Sequence, residues 1–540
     1  MADVRAAGPA RGGVADGGWR ALFGAALGST FEWYDFFLYA LLAVHFSKLF
    51  FPRGSEASGL LFSLATFGAG FIVRPLGAVV FGAIGDRVGR KFTFIVTITL
   101  MGLSTAALGL VPSYATIGWW APLALVTLRL IQGFSVGGEY GGAATYLGEY
   151  APAGRRGART GWLQMTVSCG QLGALLVIMV TEAAMGPQDF DAWGWRIPFF
   201  LSILLLILSV YIRMNLEESP VFRAIQQAHR VSKAPLSEAL GNADNLRRIL
   251  AAFILCAGQG VLAYTGALYP VFFLGGALKL DQGTVDLVVA ASILLGLPFQ
   301  PLFGWLSDRI GRKWLMLAAC LIASFCYIPA FKALVHFGNP ALEAFQARTA
   351  ITVASDSCRF RLFVTPTTAL STCDKVKNFL NHQGLNYATV AGEPGIEVAT
   401  VIGGTRIEGF DPAKFGGALA RAGYPAKPDP AGVNMPMIVL VLVFLSSLGA
   451  MIFGPLAAFL VEQFPPRIRY TSVGIAYNFG TGWFGGMTPF VVSALALARG
   501  NIYGGLWAPT LFSLAVFVLG GILIRPGLTA GVVATAEAAE

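Results

Sequence analysis

Charge is what this chain has least of. Of its 540 residues only 12% are Asp, Glu, Lys or Arg, about half the share of an ordinary soluble domain. A soluble protein with a solvated, charged surface is therefore excluded. Histidine is rarer still: His45, His229, His336 and His382 are the only four, and they are scattered. No Cys/His spacing suits zinc, so neither metal nor cofactor is expected. No phosphate-binding loop is present, which excludes an ATP-driven pump. The absence of a nucleophile–base pair argues against an enzyme. Cys169, Cys256, Cys320 and Cys326 fall in apolar runs and read as small packing residues. The formal charge of +9 does not mark a nucleic-acid partner. The bases lie in short loops between apolar runs, with no contiguous basic face.

What fills the chain instead is apolar sequence, 55% by composition. Runs of about 20 residues recur, each long enough to cross a bilayer. We read twelve spans, near 22–47, 59–84, 92–111, 119–149, 161–184, 195–215, 248–277, 285–306, 314–335, 436–461, 472–496 and 503–525. Helix is the state that satisfies its own backbone in lipid, so the fold class is an all-α membrane protein. The first run is too long for a cleaved signal peptide, and the first half needs it to match the second.

The two halves repeat. Gly82–Lys91 reads GAIGDRVGRK and Gly304–Lys313 reads GWLSDRIGRK, an offset of 222 residues. A second pair of landmarks, Glu149-Tyr-Ala-Pro152 and Glu462-Gln-Phe-Pro465, is offset by 313. The extra 91 residues fall between Phe337 and Asn434, where charge returns. The chain therefore divides into a tail (1–20), a six-helix half (21–215), a polar connector (216–247), a second half (248–337 and 435–526) split by a small α+β insert (338–434), and a tail (527–540). In the insert we expect strands at Arg359–Val364, Leu385–Val390, Glu397–Ile402 and Thr405–Glu408. Helices are expected over Thr372–Gln383, capped by Ser371, and after Asp411-Pro412. The basic loops set the orientation: both termini and the basic turns in the cytoplasm, the insert outside. In a bacterial inner membrane the insert then faces an oxidising periplasm, where its two cysteines, Cys358 and Cys373, are expected to pair.

Charges inside spans are expensive and mark function or pairing. Glu32 and Asp35 share one face of the first span, and Arg74 and Arg129 are their candidate partners. Glu139 is a fifth such charge, beside a stripe of Gly133, Gly137 and Gly141 that reads as a moving interface. Two readings stand: structural ion pairs, or a carboxylate that takes up a proton as its partner moves. The second-half spans hold no Asp, Glu, Lys or Arg away from their ends. They offer neutral polar and aromatic residues. Candidate substrate contacts are Tyr34, Tyr39, Gln132, Gln259, Tyr264, Gln300, Tyr477, Asn478 and Trp483.

The turn carrying Gly82, Asp86, Arg87, Gly89, Arg90 and Lys91 resembles the loop signature of the major facilitator superfamily. The resemblance implies that the acid caps a neighbouring helix and the arginines lock the cytoplasmic side. The lock set here is Asp86, Arg87, Arg90, Glu149, Arg156, Asp308, Arg309, Arg312 and Glu462. Glu32-Trp-Tyr-Asp-Phe, Arg74-Pro75-Leu-Gly, Gln132-Gly-Phe-Ser-Val-Gly-Gly-Glu-Tyr140, Trp193-Gly-Trp-Arg-Ile-Pro198 and Glu217-Glu-Ser-Pro-Val-Phe222 look like the metabolite:proton symporter family. That family includes transporters for proline and betaine, α-ketoglutarate, citrate and shikimate. The resemblance implies proton-coupled import of a small organic acid or zwitterion by alternating access, by a functional monomer in a lipid bilayer. Typical members lack a long insert here. The rival reading is a membrane sensor whose insert binds a ligand.

Overall fold

The computed structural model describes residues 13–51, 56–152, 154–215, 218–356 and 370–524. The long helices follow the apolar runs. They are α1 (Gly13–Leu41), α2 (Gly59–Arg87), α3 (Arg90–Leu110), α4 (Trp120–Tyr150), α5 (Arg156–Met185) and α6 (Gly194–Met214) in the first half. The second half holds α7 (Ala243–Ala277), α8 (Gln282–Ile310), α9 (Arg312–Gly338), α10 (Met435–Gln463), α11 (Pro466–Arg499) and α12 (Gly504–Leu523). Among the described residues, α2 to α12 are eleven helices long and apolar enough to cross a membrane. The side chains of α1 are described from Leu27 onward.

The two basic turns bend alike. Gly89 (φ 126°) separates α2 from α3, and Gly311 (φ 89°) separates α8 from α9. A side chain at either φ would be strained. The lysine after each turn also does the same job twice. Lys91 donates to the Met214 carbonyl at the end of α6, at 2.6 Å. Lys313 donates to the Gly521 and Ile524 carbonyls at the end of α12, at 2.9 and 2.6 Å. Cations suit the unpaired carbonyls of a helix end.

Within the first half α4 packs closely on α2 and α3, and α1 on α5. A Cβ at Gly133 would collide with the Gly70 carbonyl, and one at Gly137 with the Arg74 carbonyl. Two members of the stripe meet the other half: Gly141 lies against Gly474 and Tyr470 of α11, and the Gly137 carbonyl accepts from Asn478 Nδ2 of α11 at 2.8 Å. The stripe therefore serves both as a close joint inside the first half and as part of the seam with the second. The halves meet along α2–α11, α5–α8 and α5–α10. Several helices are interrupted near this seam. Arg74-Pro75 restarts α2 after a break at Val73. Wide π turns occupy Tyr264–Leu268 and Phe273–Ala277 in α7 and Asn478–Gly485 in α11. Such turns commonly accompany functional positions.

The connector crosses under both halves. Ser219 caps the helix Pro220–Gln227 by accepting from the Phe222 N–H at 3.1 Å, and the Phe222 ring lies under Arg90. Glu217 lies outside the described residues. The helix Pro235–Gly241 touches both α2 and α11.

Between α9 and α10 the described residues form a four-stranded sheet in the order β2-β1-β3-β4. Its strands are β1 (Ile351–Ala354), β2 (Ala388–Val390), β3 (Ala399–Ile402) and β4 (Thr405–Glu408). β2 is parallel to β1, and the other pairs are antiparallel. Helices Pro340–Arg348, Thr372–His382 and Pro412–Arg421 cover it around a core with Phe345, Val376 and Phe415. Strand β1 and helix Pro340–Arg348 were not anticipated. The strand expected at Arg359–Val364 lies outside the described residues. Cys373 is disulfide-bonded, and Cys358 lies outside the described residues. The sheet unit is fastened to the α11–α12 turn. The Tyr387 N–H donates to the Gly500 carbonyl at 2.9 Å, and the Ile502 N–H donates to Asn386 Oδ1 at 2.9 Å.

Candidate functional site

The basic face is closed by one cluster built twice. Asp86, in the last turn of α2, accepts from the Thr471 backbone N–H at 2.9 Å and its hydroxyl at 2.8 Å. Thr471 lies at the start of α11 in the other half. Asp308, at the end of α8, accepts from the N–H groups of Gly157 and Ala158 at 2.9 and 2.8 Å. Those open α5, again in the other half. Unpaired N–H groups at a helix start favour such an anion. Arg90 pairs with Glu149 at 2.9 Å, and Glu149 reaches Arg469 across the seam at 3.0 Å. In the second copy Arg312 grips Glu462 at 2.8 and 2.7 Å, and Arg156 stands 3.9 Å from Glu462 across the seam. Arg469 follows Arg156 by 313 residues, the same offset as the two glutamates, so the repeat itself could have supplied it. Arg87 and Arg309 stand apart from these clusters. Arg87 donates to the Lys233 carbonyl of the connector. Arg309 lies over Trp305 of its own helix, 3.9 Å away. Each follows its aspartate by one residue, so the helix turns it about 100° away.

Deep in the first half the charges pair differently from the sequence expectation. The partner of Glu32 is Arg213, in the last turn of α6, at 2.8 Å. The same guanidinium lies 3.4 Å from Glu139. Arg74 and Arg129 take neither role. The reason is a gap in α1: a Cβ at Gly28 would stand 2.8 Å from Arg213 Nε, so glycine lets Arg213 lie across the helix. Arg213 was overlooked because it ends its apolar run. Among the described residues no arginine pairs with Asp35. It accepts from the Ser202 hydroxyl at 2.5 Å and faces the Thr105 hydroxyl.

Arg74 and Arg129 are fully buried, and no described carboxylate pairs with either. Arg74 Nε donates to Asn478 Oδ1 at 3.2 Å. Arg129 donates to Gln132 Oε1 at 2.8 Å. The Tyr264 hydroxyl faces Arg74, yet both terminal nitrogens of Arg74 lack a hydrogen-bond partner, as do two nitrogens of Arg129. Aromatic rings take the place of anions. Phe36 lies between the two guanidiniums, 5.7 Å from Arg74 and 4.6 Å from Arg129. Phe71 and Tyr477 flank Arg74, and Tyr39 and Phe67 flank Arg129. Ring faces attract cations but do not neutralise them.

A cavity of about 80 Å³ lies between the halves, lined by Trp33, Gln259, Tyr264, Gln300 and Tyr477 among others. Four of the nine candidate contacts are therefore in its wall. Tyr39, Gln132 and Asn478 sit behind it, holding or flanking the arginines. Tyr34 is not in the wall: its hydroxyl donates to the Pro198 carbonyl at 2.9 Å. Trp483 is 44% exposed on the outside of α11, its Nε1 donating to the Ile72 carbonyl. The wide turn Asn478–Gly485 rotates it away from the cavity. On the insert side a larger vestibule of about 710 Å³ separates the halves.

A family model described as "Sugar (and other) transporter" matches residues 21–254. The shikimate transporter of Escherichia coli strain K12 is 34% identical over 405 residues, covering 73% of this chain and 86% of that one. The chain belongs to the major facilitator superfamily. Its likeness is to the metabolite:proton symporter group. The glycine betaine/proline/ectoine/pipecolic acid transporter OusA of Dickeya dadantii is 37% identical, covering 58% of this chain and 64% of that one. The Escherichia coli alpha-ketoglutarate permease is 36% identical, covering 59% and 73%. The proton:xylose symporter XylE shares the fold, with a TM-score of 0.62 at 16% identity over 94% of this chain and 96% of that one. As a superfamily transporter the chain is a multi-pass membrane protein and not an enzyme.

Proposed function

We propose that this transporter imports a small carboxylate-bearing metabolite together with a proton, by alternating access. The carrying observation is the pair Arg74 and Arg129: two buried cations with unmet N–H groups and no described counter-anion. Burying unpaired charge is costly. Neither arginine lines the cavity, but Trp33, Tyr264 and Tyr477, which stand beside Arg74, do, so a substrate carboxylate that displaces these side chains supplies the missing partner. Shikimate, α-ketoglutarate, proline and betaine, the compounds in the relatives' names, all carry a carboxylate.

Asp35 is the proton carrier in this reading. A buried carboxylate without a cation is most cheaply kept protonated. Glu32 and Glu139 are held by Arg213 and serve as structure. A chain of side chains joins the two sites. Arg129 bonds Gln132, whose amide donates to the Thr105 hydroxyl at 2.7 Å, and Thr105 faces Asp35. The Thr105 hydroxyl also reaches the Met101 carbonyl at 2.9 Å. One hydroxyl proton serves one acceptor at a time, so it turns to Asp35 when that carboxylate is charged and to Met101 when it is not. Gln132 then feels the change, and with it Arg129.

The basic face is the cytoplasmic lock, and the described state faces outward. α1 is the twelfth span, both termini are cytoplasmic, the sheet unit lies outside a bacterial inner membrane, and one chain suffices. The test is uptake into proteoliposomes of labelled shikimate, α-ketoglutarate, proline and betaine. Asp35→Asn should abolish accumulation driven by a pH gradient while substrate counterflow survives. Unchanged gradient-driven uptake in Asp35→Asn removes the proton assignment. A protein that binds but moves none of them returns the sensor reading.

A further inference from the structure

The sheet unit carries a chemistry that transport does not use. Its central strand β1 has β2 parallel on one side and β3 antiparallel on the other. The chain crosses from β1 through the helix Thr372–His382 to β2, then returns past β1 to place β3. β1 is therefore the point at which the sheet switches direction. In open α/β sheets the functional crevice lies beyond the carboxyl ends of the strands, at such a switch. The residue found there is a cysteine. Cys373 is the second residue of the crossover helix, has no exposed surface and is disulfide-bonded.

Hydrogen bonds gather four segments around it. Ser355, the residue after β1, donates its hydroxyl to the Glu397 carbonyl ahead of β3 at 2.8 Å. The Thr372 N–H at the helix start donates to Glu397 Oε1 at 3.3 Å. The Gly392 N–H, just after β2, donates to Asp356 Oδ1 at 2.8 Å. The other end of the same helix holds the seat on the bundle. Asn381 donates to the Leu497 carbonyl of α11 at 3.3 Å, and a Cβ at Gly384 would collide with the Ala277 carbonyl at the end of α7. The helix has 11 residues, a length of about 16 Å, so Cys373 stands at the end away from the seat. A cysteine beside a βαβ unit is the setting of thioredoxin-like redox motifs. The spacing departs from the usual Cys-x-x-Cys: residues 370–373 read Leu-Ser-Thr-Cys, and Cys358 comes 15 residues before Cys373 and four after β1. Cys169, Cys256, Cys320 and Cys326 are free thiols.

We propose that the insert is a thiol–disulfide exchange module, in which Cys358 is the entry sulfur, Cys373 the resolving sulfur and a small thiol the redox partner. The burial of Cys373 assigns these roles, because an incoming group meets the other sulfur, and a small thiol needs the least room. Its thiolate attacks Cys358 Sγ, the disulfide breaks, and Cys373 leaves with the bonding electron pair. N–H groups at a helix start favour that thiolate, which then takes up a proton. A second small thiolate attacks the first at its sulfur in the mixed disulfide. The oxidised small disulfide departs and Cys358 is left as a thiol. Two small thiols have become one disulfide, and two electrons and two protons have passed to the insert. The oxidised small disulfide runs the steps in reverse.

The first measurement needs no substitution. Full-length protein isolated without reductant is exposed to millimolar reduced glutathione under native conditions, quenched with an alkylating reagent and digested. Mass spectrometry should find glutathione on the Cys358 peptide and alkylated Cys373, while tryptophan fluorescence shows the fold intact. A leaving thiol about a hundredfold more acidic leaves about tenfold faster, so opening should outrun the exchange of glutathione with its own disulfide about tenfold. Oxidised glutathione should close the bond again and leave no glutathione on the parent. Cys373→Ser treated the same way should keep one glutathione on Cys358, having lost the thiol that displaces it. Cys358→Ser should take up none in the insert, because Cys373 is buried. A bond that opens no faster than the glutathione reference, or opens only on unfolding, is a structural staple and overturns the proposal. Glutathione found on Cys373 overturns the assignment of roles. Where a variant fails to fold, the parent's opening rate decides.

Discussion

Replacing Arg213 by methionine should wound the fold, whereas replacing Arg74 should wound only binding. Arg213 lies 2.8 Å from Glu32 and 3.4 Å from Glu139, all three buried. At an effective dielectric of about 20, those contacts are worth roughly 6 and 5 kcal/mol before desolvation. Desolvation consumes much of that gain, but removing the cation alone leaves two carboxylates uncompensated, at a net cost of about 3–5 kcal/mol. The unfolding entropy is about 2.1 cal/mol/K per residue. If the chain's 540 residues unfold together, the melting midpoint should drop by roughly 3–4 °C in detergent. Adding Glu32→Gln and Glu139→Gln to Arg213→Met should recover most of it. Arg74→Met removes a cation with no described carboxylate beside it, so its midpoint should hold while stabilisation by added shikimate or α-ketoglutarate disappears. Tryptophan fluorescence during thermal unfolding reads all four proteins. An Arg213→Met midpoint within about 1 °C of the parent would refute the pairing. So would rescue of Arg74→Met by Glu32→Gln, which would restore the partner expected from sequence.

Asp86→Ala removes the acceptor of two Thr471 bonds and should weaken the closed basic face by about 1 kcal/mol, a roughly fivefold shift away from the outward-facing state. A cysteine at the buried Ser472 should then label faster from the basic side, and an unchanged rate argues against the lock. Mass spectrometry of unreduced protein should find a Cys358–Cys373 cross-linked peptide. Free thiol at Cys358 in protein exported normally would overturn that pairing and weaken the outward placement of the insert.

Repetition made part of this molecule legible in advance. Two copies of one turn matched Asp86 to Asp308 and Arg90 to Arg312 by a single offset. The same logic, pursued one landmark further, would have matched Arg156 to Arg469. What repetition cannot give is which helix faces which. The partner of Glu32 came from α6, and the signal for it was an absence: Gly28, one turn before Glu32, leaves a groove for Arg213. Trp483 failed for a related reason, because even periodicity misplaces a side chain beyond a wide turn. Strand β1 was short and half a sheet away from its partners in sequence, pairing with β2 and β3 more than 30 residues on. By contrast the Ser371 cap was local. Its hydroxyl accepts from the Asp374 N–H, and Asp374 accepts in return. Local rules are enough to place such a motif.

The seat of the sheet unit turns it into a pointer. It is joined to the α11–α12 turn through Tyr387 and Asn386 and abuts the end of α7, so it is a passenger of one half. A rotation of that half carries the edge strand β4 with it. A dye on the exposed Arg406 or Glu408 of β4, read against a second dye on the first half, would therefore report the transport stroke. The same projecting body gives image alignment an asymmetric landmark on a molecule whose two halves otherwise look alike.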